Sequence, residues 1–261
     1  HDKTYICRAG GVKMVSLKTS GELKLMSEAC KLSAQALQAG GAAVEVGITT
    51  REIDNIIKKF IVKSGATPSF LGYGGFPGSA CISINEVVIH GIPSGRKIAN
   101  GDIVSIDVGA FYNGYHGDNA ATYAAGNVSP EAKSLMDATE KSLYLAIKAA
   151  VPGARLGDIG STVQTYIEAQ GYAVVRKFVG HGVGTKLHED PEVPNYGTAG
   201  HGIRLVPGMT IAIEPMVNLR GEDVKVLADG WTTVSKSGSL AAHFEHTIAI
   251  TENGPVILTR A

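Results

Sequence analysis

Ile98-Ala-Asn-Gly-Asp-Ile-Val-Ser-Ile-Asp107 and Leu205-Val-Pro-Gly-Met-Thr-Ile-Ala-Ile-Glu214 lie 107 residues apart and share one plan. In each, a glycine turn feeds a short apolar strand that ends in a carboxylate. Upstream, Glu52-Ile53, Phe60-Ile61 and Gly65 are echoed by Asp158-Ile159, Tyr166-Ile167 and Gly171 at an offset of 106. Each unit therefore reads as helix, strand region, turn and carboxylate-tipped strand. Four matches in order at nearly one offset point to a duplicated α+β half. Two such halves packed face to face form one pseudo-symmetric domain, with the two carboxylates meeting near its axis.

Working outward from the first copy, Ile103 to Phe111 alternates in the strand period and is followed by Asn113-Gly114, a two-residue hairpin signal. That turn pairs Tyr112 with Tyr115 and sets Asp107 opposite Ala120. Asp118 then becomes the same-face diagonal neighbour of Asp107, about 7–8 Å away at the backbone. Toward the N-terminus, Leu25, Met26, Ala29, Leu32, Ala36 and Leu37 recur at helical spacing between Leu23 and Ala39, with Thr19 or Ser20 as cap and Glu22 in the first turn. A second helix is predicted from Thr50 to Lys63, burying Ile53, Ile56, Ile57, Phe60 and Ile61. Residues 1–13 read as an added leader or a disordered extension, and Met14 opens the natural chain.

The 261 residues carry 24 basic and 24 acidic side chains, so no global field attracts nucleic acid or anionic lipid. No apolar run approaches the ~18 residues of a membrane span, and His1–Gly11 lacks the apolar stretch of a secretory signal. Three cysteines, Cys7, Cys30 and Cys81, are too few for a disulfide framework and match no zinc spacing, which fits a reducing cytosol. The 33 glycines are spread along the chain, as tight turns and close backbone approaches require.

The chemistry lies in the strand-borne acids. Glu214 in Ile211-Ala-Ile-Glu-Pro and Glu245 in Phe244-Glu-His-Thr-Ile-Ala-Ile interrupt apolar strands, where an unpaired buried charge is strongly unfavourable. Taken singly, each acid could face solvent by alternation or pair with Arg or Lys. Few basic residues sit near any of them in sequence, which makes a metal the simplest counter-charge. Gly180-His181-Gly-Val-Gly-Thr-Lys-Leu-His188 adds imidazoles, with glycines on both sides of His181 to admit close backbone approach. Asp107, Asp118, Glu214 and Glu245 with one neutral imidazole have a formal charge that two divalent cations cancel. An oxygen-rich set with one nitrogen and no thiolate suits Mn, Fe, Co or Zn, and is unlike a structural zinc site.

The ordered series Asn85-Glu-Val-Val-Ile-His90-Gly-Ile-Pro, Asp107, His116-Gly-Asp118, Gly180-His181-Gly-Val-Gly, Glu214-Pro-Met and Glu245-His-Thr resembles type I methionine aminopeptidase, from about Met14 to the C-terminus. The resemblance implies the α/β (α+β) "pita-bread" fold, a curved, antiparallel-rich sheet with flanking helices and an internal pseudo-two-fold axis. Residues 14–261 would be one catalytic domain with halves of about 14–125 and 126–261. No long helical insertion or zinc-finger extension is present, as in the compact bacterial form.

It further implies that Asp107, Asp118, His181, Glu214 and Glu245 hold two divalent metals, Asp118 and Glu245 bridging them, and that a hydroxide shared by the ions attacks the substrate. Glu214 would shuttle the proton, His188 would donate to the developing oxyanion, and His90 would contact the scissile amide. A pocket for one unbranched thioether would be walled by Phe70, Tyr73, Phe76, Cys81 and Trp231. The sequence departs from the commonest pattern at Phe70, where many relatives carry cysteine, and at Leu187, where phenylalanine is frequent. Cys81 reads as a packing thiol, since no paired base is evident.

Of the other histidines, His116 shares Asp118's face as a supporting partner or a structural residue. His246 points away from Glu245 and reads as structural. His243 shares Glu245's face, where the family commonly has glutamine, and its role stays open. The implied activity is removal of N-terminal methionine from peptides and nascent chains, at the ribosome, by a cytoplasmic monomer that prefers a small second residue. Competing readings are a proline-directed aminopeptidase P or prolidase relative and a non-catalytic pita-bread module that binds peptides.

Overall fold

The computed structural model describes residues 3–8 and 11–261, with side chains from Val15 onward. Within residues 1–13, expected as a leader or a disordered extension, residues 1, 2, 9 and 10 lie outside the described ones, while Lys3–Arg8 pairs antiparallel with Gly11–Ser16. Four α-helices are present among the described residues: α1 (Ser20–Ala42), α2 (Thr50–Lys63), α3 (Pro130–Ala149) and α4 (Leu156–Ala169). None of these is long and apolar enough to cross a membrane.

Capping explains where the helices begin. Thr19, not Ser20, caps α1: the Glu22 N–H donates to Thr19 Oγ1 at 3.3 Å and the Thr19 N–H donates back to the Glu22 carboxylate at 2.8 Å. Thr49 and Glu52 repeat the box at α2, at 3.2 and 2.8 Å. The bounds of α2 agree with the sequence reading, whereas α1 runs three residues further at each end than Leu23–Ala39. Two expected core residues are exposed, Leu25 and Ile56. Each sits one residue, about 100° of rotation, before a fully buried neighbour, Met26 or Ile57. The contact line of α2 is the narrower i, i+4, i+8 set Ile53, Ile57 and Ile61.

Nine strands form the main sheet, every neighbouring pair antiparallel: Thr67–Pro68 (β1), Ala80–Ile84 (β2), Ile103–Tyr112 (β3), Tyr115–Ala124 (β4), Gly180–Gly182 (β5), Glu189–Val193 (β6), Thr210–Ile213 (β7), Glu245–Thr251 (β8) and Gly254–Ile257 (β9). Their order is β6-β5-β7-β8-β4-β3-β1, with β9 also beside β8 and β2 beside β3. The repeat read from the sequence is visible here. Helices α2 and α4 have 14 residues each and start at Thr50 and Leu156, while β3 and β7 start at Ile103 and Thr210. The result is a curled antiparallel sheet with a helix pair packed on each half, the pita-bread arrangement.

Each half has its own core. Val104, Ile106 and Val108 of β3 pack with Ile53, Ile57 and Ile61 of α2. Ile211, Ile213 and Ile248 pack with Leu135, Leu143, Ile159 and Val163 of α3 and α4. Side chains alternate along a strand, so Asp107, between Ile106 and Val108, faces away from the helices.

The halves join where β4 pairs with β8, Ala120 opposite Glu245. Ala120 is also the partner of Asp107 on its other side, so Asp107 and Glu245 flank it on one face of three adjacent strands. The hairpin register is as expected, with Tyr112 opposite Tyr115 and Asp118 opposite Gly109. Asn113 (φ +49°) and Gly114 (φ +85°) both occupy the left-handed region that a type I′ turn requires.

Candidate active site

Three acids therefore reach one face by register alone: Asp107 and Glu245 abreast, and Asp118 two residues further along β4. Across the join, the Thr247 hydroxyl donates to the Asp118 carbonyl at 2.7 Å and accepts the Asp118 N–H at 3.2 Å, which holds β8 against β4. Glu214 comes from the residue just beyond β7, and the Asn195 side-chain amide donates to its carbonyl at 2.9 Å.

His181 arrives on β5, squeezed between β6 and β7. A Cβ on Gly180 would stand 2.3 Å from the Ala212 carbonyl oxygen, and one on Gly182 2.4 Å from that of Asp190. Flanking glycines are thus what lets this strand, and with it the imidazole, enter the sheet. His181 Nε2 lies 3.7 Å from Asp118 Oδ2 and 3.6 Å from Glu214 Oε1, and its Nδ1 is 2.9 Å from the Gly182 carbonyl oxygen. Donating Nδ1–H to that carbonyl leaves Nε2 as an acceptor aimed at the acids.

These groups carry high electrostatic stress. Burial pushes the Asp107 carboxyl up to about 7. Burial, then the charges of the neighbouring acids, holds Asp118, Glu214 and Glu245 well above the usual carboxylate range. Burial lowers His181 to about 3, so it is neutral at physiological pH. Among the described residues no Lys or Arg pairs with any of the four acids. Asp107 Oδ1, Asp118 Oδ1 and Glu245 Oε1 are buried without a hydrogen-bond partner. Buried polar atoms are almost always satisfied, and converging unsatisfied oxygens next to a neutral imidazole acceptor are the donor set of divalent cations.

The ligand atoms cluster in two groups, each within 4.8 Å: Asp118, His181 and Glu245, and Glu214, His243 and Glu245. Glu245 belongs to both, as a residue shared by two ions would. Asp107 lies outside these tight groups. His243, whose role the sequence left open, lies within one.

All twelve residues singled out from the sequence line one cleft of about 640 Å³, part of it open to solvent, together with Leu187. Phe70, Phe76, Cys81 and Leu187 form its apolar wall, with Ile92 and Trp231 packed against them. Phe76 meets Trp231 edge-on with ring centres 5.2 Å apart. Both departures from the family pattern, Phe70 and Leu187, therefore lie in the pocket wall. Burial, followed by the charges of Asp107 and Asp118, drives the Cys81 thiol far up, so it is an inert packing group.

His90 holds a left-handed backbone (φ +58°), unusual outside glycine, with its ring edge-on to Phe178 and Trp231. Burial keeps it neutral, at about 4. His188 Nδ1 is 2.8 Å from the Tyr73 hydroxyl, and its ring centre is 4.1 Å from that of His181. His116 and His246 point to structural partners. The Ser69 hydroxyl is 2.8 Å from His116 Nδ1, while Thr259 and Tyr144 flank His246 at 2.9 and 3.3 Å.

The model of metallopeptidase family M24 matches residues 24–252. The chain is 53% identical to methionine aminopeptidase 1 of Bacillus subtilis, over 95% of its own length and 100% of that protein's. Among solved structures, methionine aminopeptidase from Thermotoga maritima has a TM-score of 0.93 at 46% identity, covering 95% of this chain and all of that one. Prolidase from Pyrococcus furiosus has a TM-score of 0.76 at 26% identity, and the match covers 94% of this chain but 65% of the prolidase.

Proposed function

Because the chain belongs to the methionine aminopeptidases of metallopeptidase family M24, we propose that its cleft hydrolyses the first peptide bond of chains that begin with methionine. One observation carries this reading. Four inward-facing carboxylates without basic partners, three of them with a buried oxygen that accepts no hydrogen bond, converge in an apolar, aromatic-walled cleft.

Asp107, Asp118, His181, Glu214 and Glu245 would hold two divalent ions, Asp118 and Glu245 serving both. Bound there, the ions supply Lewis acidity, acidifying water and polarising the scissile carbonyl. The apolar wall of Phe70, Phe76, Leu187 and Trp231 takes the methionine side chain and fixes the depth at which the bond lies. Glu214 accepts a proton from the attacking water and passes it to the leaving amine. His90, neutral, meets the scissile amide.

His188 donates to the carbonyl oxygen as it gains charge, which requires the proton on Nε2. The Tyr73 hydroxyl, 2.8 Å from Nδ1, is placed to donate to it and so to keep the proton on Nε2. A neutral hydrogen bond contributes about 1 kcal/mol, so Tyr73→Phe is expected to lower kcat about five- to tenfold. Steady-state kinetics on a Met-Ala-Ser peptide measures this. An unchanged kcat removes Tyr73 from the mechanism.

The same reading makes residues 14–261 one catalytic domain of two halves. It has a cytoplasmic monomer acting on nascent chains at the ribosome, with a small second residue preferred. The decisive experiment is Met-Ala-Ser hydrolysis before and after chelation. Activity is expected to vanish with the metal and to return on adding Co²⁺ or Mn²⁺, with Xaa-Pro substrates left uncut. Turnover that survives thorough metal removal overturns the reading, and preferred cleavage of Xaa-Pro moves the chain to the proline-directed branch.

A further inference from the structure

We infer that His243 is a sixth protein ligand of the metal centre and gives the second cation an imidazole nitrogen of its own. This rests on the reading that the cleft holds two divalent ions. His243 ends the strand Ala241–His243, and its backbone is pinned at both polar atoms by Thr122 of β4. Its N–H donates to Thr122 Oγ1 at 3.0 Å and its carbonyl accepts from that hydroxyl at 2.8 Å.

The side chain is 2% exposed, and Nε2 is buried without a hydrogen-bond partner. That nitrogen lies 3.7 Å from Glu214 Oε2, while His181 Nε2 lies 3.6 Å from Glu214 Oε1. Two imidazoles thus approach the two oxygens of one carboxylate at matching separations. Both distances exceed the 2.7–3.2 Å of a hydrogen bond. They come close to the roughly 3–3.5 Å between two ligands of one cation at bond lengths of about 2.0–2.2 Å.

Glu214, His243 and Glu245 form the counterpart of Asp118, His181 and Glu245, with Glu245 in common. Each cation would so have one nitrogen donor, which shifts the second position from oxygen-only chemistry toward the imidazole-preferring metals Co, Fe and Zn.

The test is a titration of chelator-stripped full-length protein with Co²⁺, followed by calorimetry and by the visible absorption of the bound ion. Wild type is expected to bind two equivalents. In His243→Gln one equivalent should weaken by about tenfold or more and its absorption should change, while the other keeps its affinity and spectrum. Circular dichroism checks folding, and His243→Asn is read the same way if the glutamine variant does not fold. Two equivalents with unchanged affinity and spectrum in the variant overturn the inference and leave the aminopeptidase reading intact. A wild-type protein that binds no Co²⁺ overturns the metal centre itself.

Discussion

A Glu214→Gln enzyme is expected to turn over Met-Ala-Ser about a thousandfold more slowly than wild type, while still carrying two cations by elemental analysis. Glutamine keeps the size of the side chain and a carbonyl oxygen that can ligate, but it cannot take up a proton. General acid–base catalysis by a positioned carboxylate contributes about 10²- to 10⁴-fold, and the loss should fall on kcat with KM little changed, because the pocket wall is untouched. Glu214 suits the role by position, since each of its oxygens faces an imidazole nitrogen, at 3.6 and 3.7 Å. A kcat within about threefold of wild type, with both ions bound, would show that another group moves the proton.

Glu245→Gln is expected to act with opposite signs on stability and on metal binding. In the metal-free protein at pH 8, four buried acids repel one another, and removing one charge should raise the unfolding free energy by about 1–3 kcal/mol. The same change takes a carboxylate from both ligand groups, so cation binding and turnover should be largely lost. Urea denaturation with and without Mn²⁺ separates the two effects. A variant that is less stable than wild type without metal contradicts the repulsion.

The pH dependence of the metal-free wild type follows from the same physics. Folding raises the Asp107 carboxyl from 3.8 to about 7. Below pH 4 the group is protonated in both states and folding is unopposed. As pH rises from about 4 to about 7 the unfolded chain ionises while the folded one still holds its proton, and the cost of keeping this carboxyl buried grows until it levels off above 7 on the order of 4 kcal/mol. Metal-free protein should therefore be more stable at pH 5 than at pH 8, and saturating Mn²⁺ should remove the difference.

The carboxylates and their chain order were readable in advance because strand registers follow from local rules. The Asn113-Gly114 turn fixes the hairpin, the period of two then sets Asp107 and Asp118 on one face, and the offset of the repeat aligns Glu214 with Asp107. The bounds of helix α2 were readable because its apolar period is strong. Leu25 and Ile56 misled for the opposite reason, since an apolar residue at the margin of a helical stripe is buried only if a neighbouring element reaches it.

His243 shows where periodicity stops. Alternation put it on the face of Glu245, but its strand and β8 meet at Phe244, and only the packing of Thr122 against its backbone settles where the ring goes.

What the amino-acid order determined by itself was the duplicated α+β plan, the strand faces and the identity of the acids, all consequences of short-range sterics and hydrophobic alternation. Tertiary structure alone decided the join of β4 to β8 that sets Glu245 beside Ala120, the hydroxyl of Tyr73 on His188, and the imidazole of His243 against Glu214. The first two link residues of different halves more than a hundred positions apart, and the third joins two separate segments of the second half, so no local pattern encodes them.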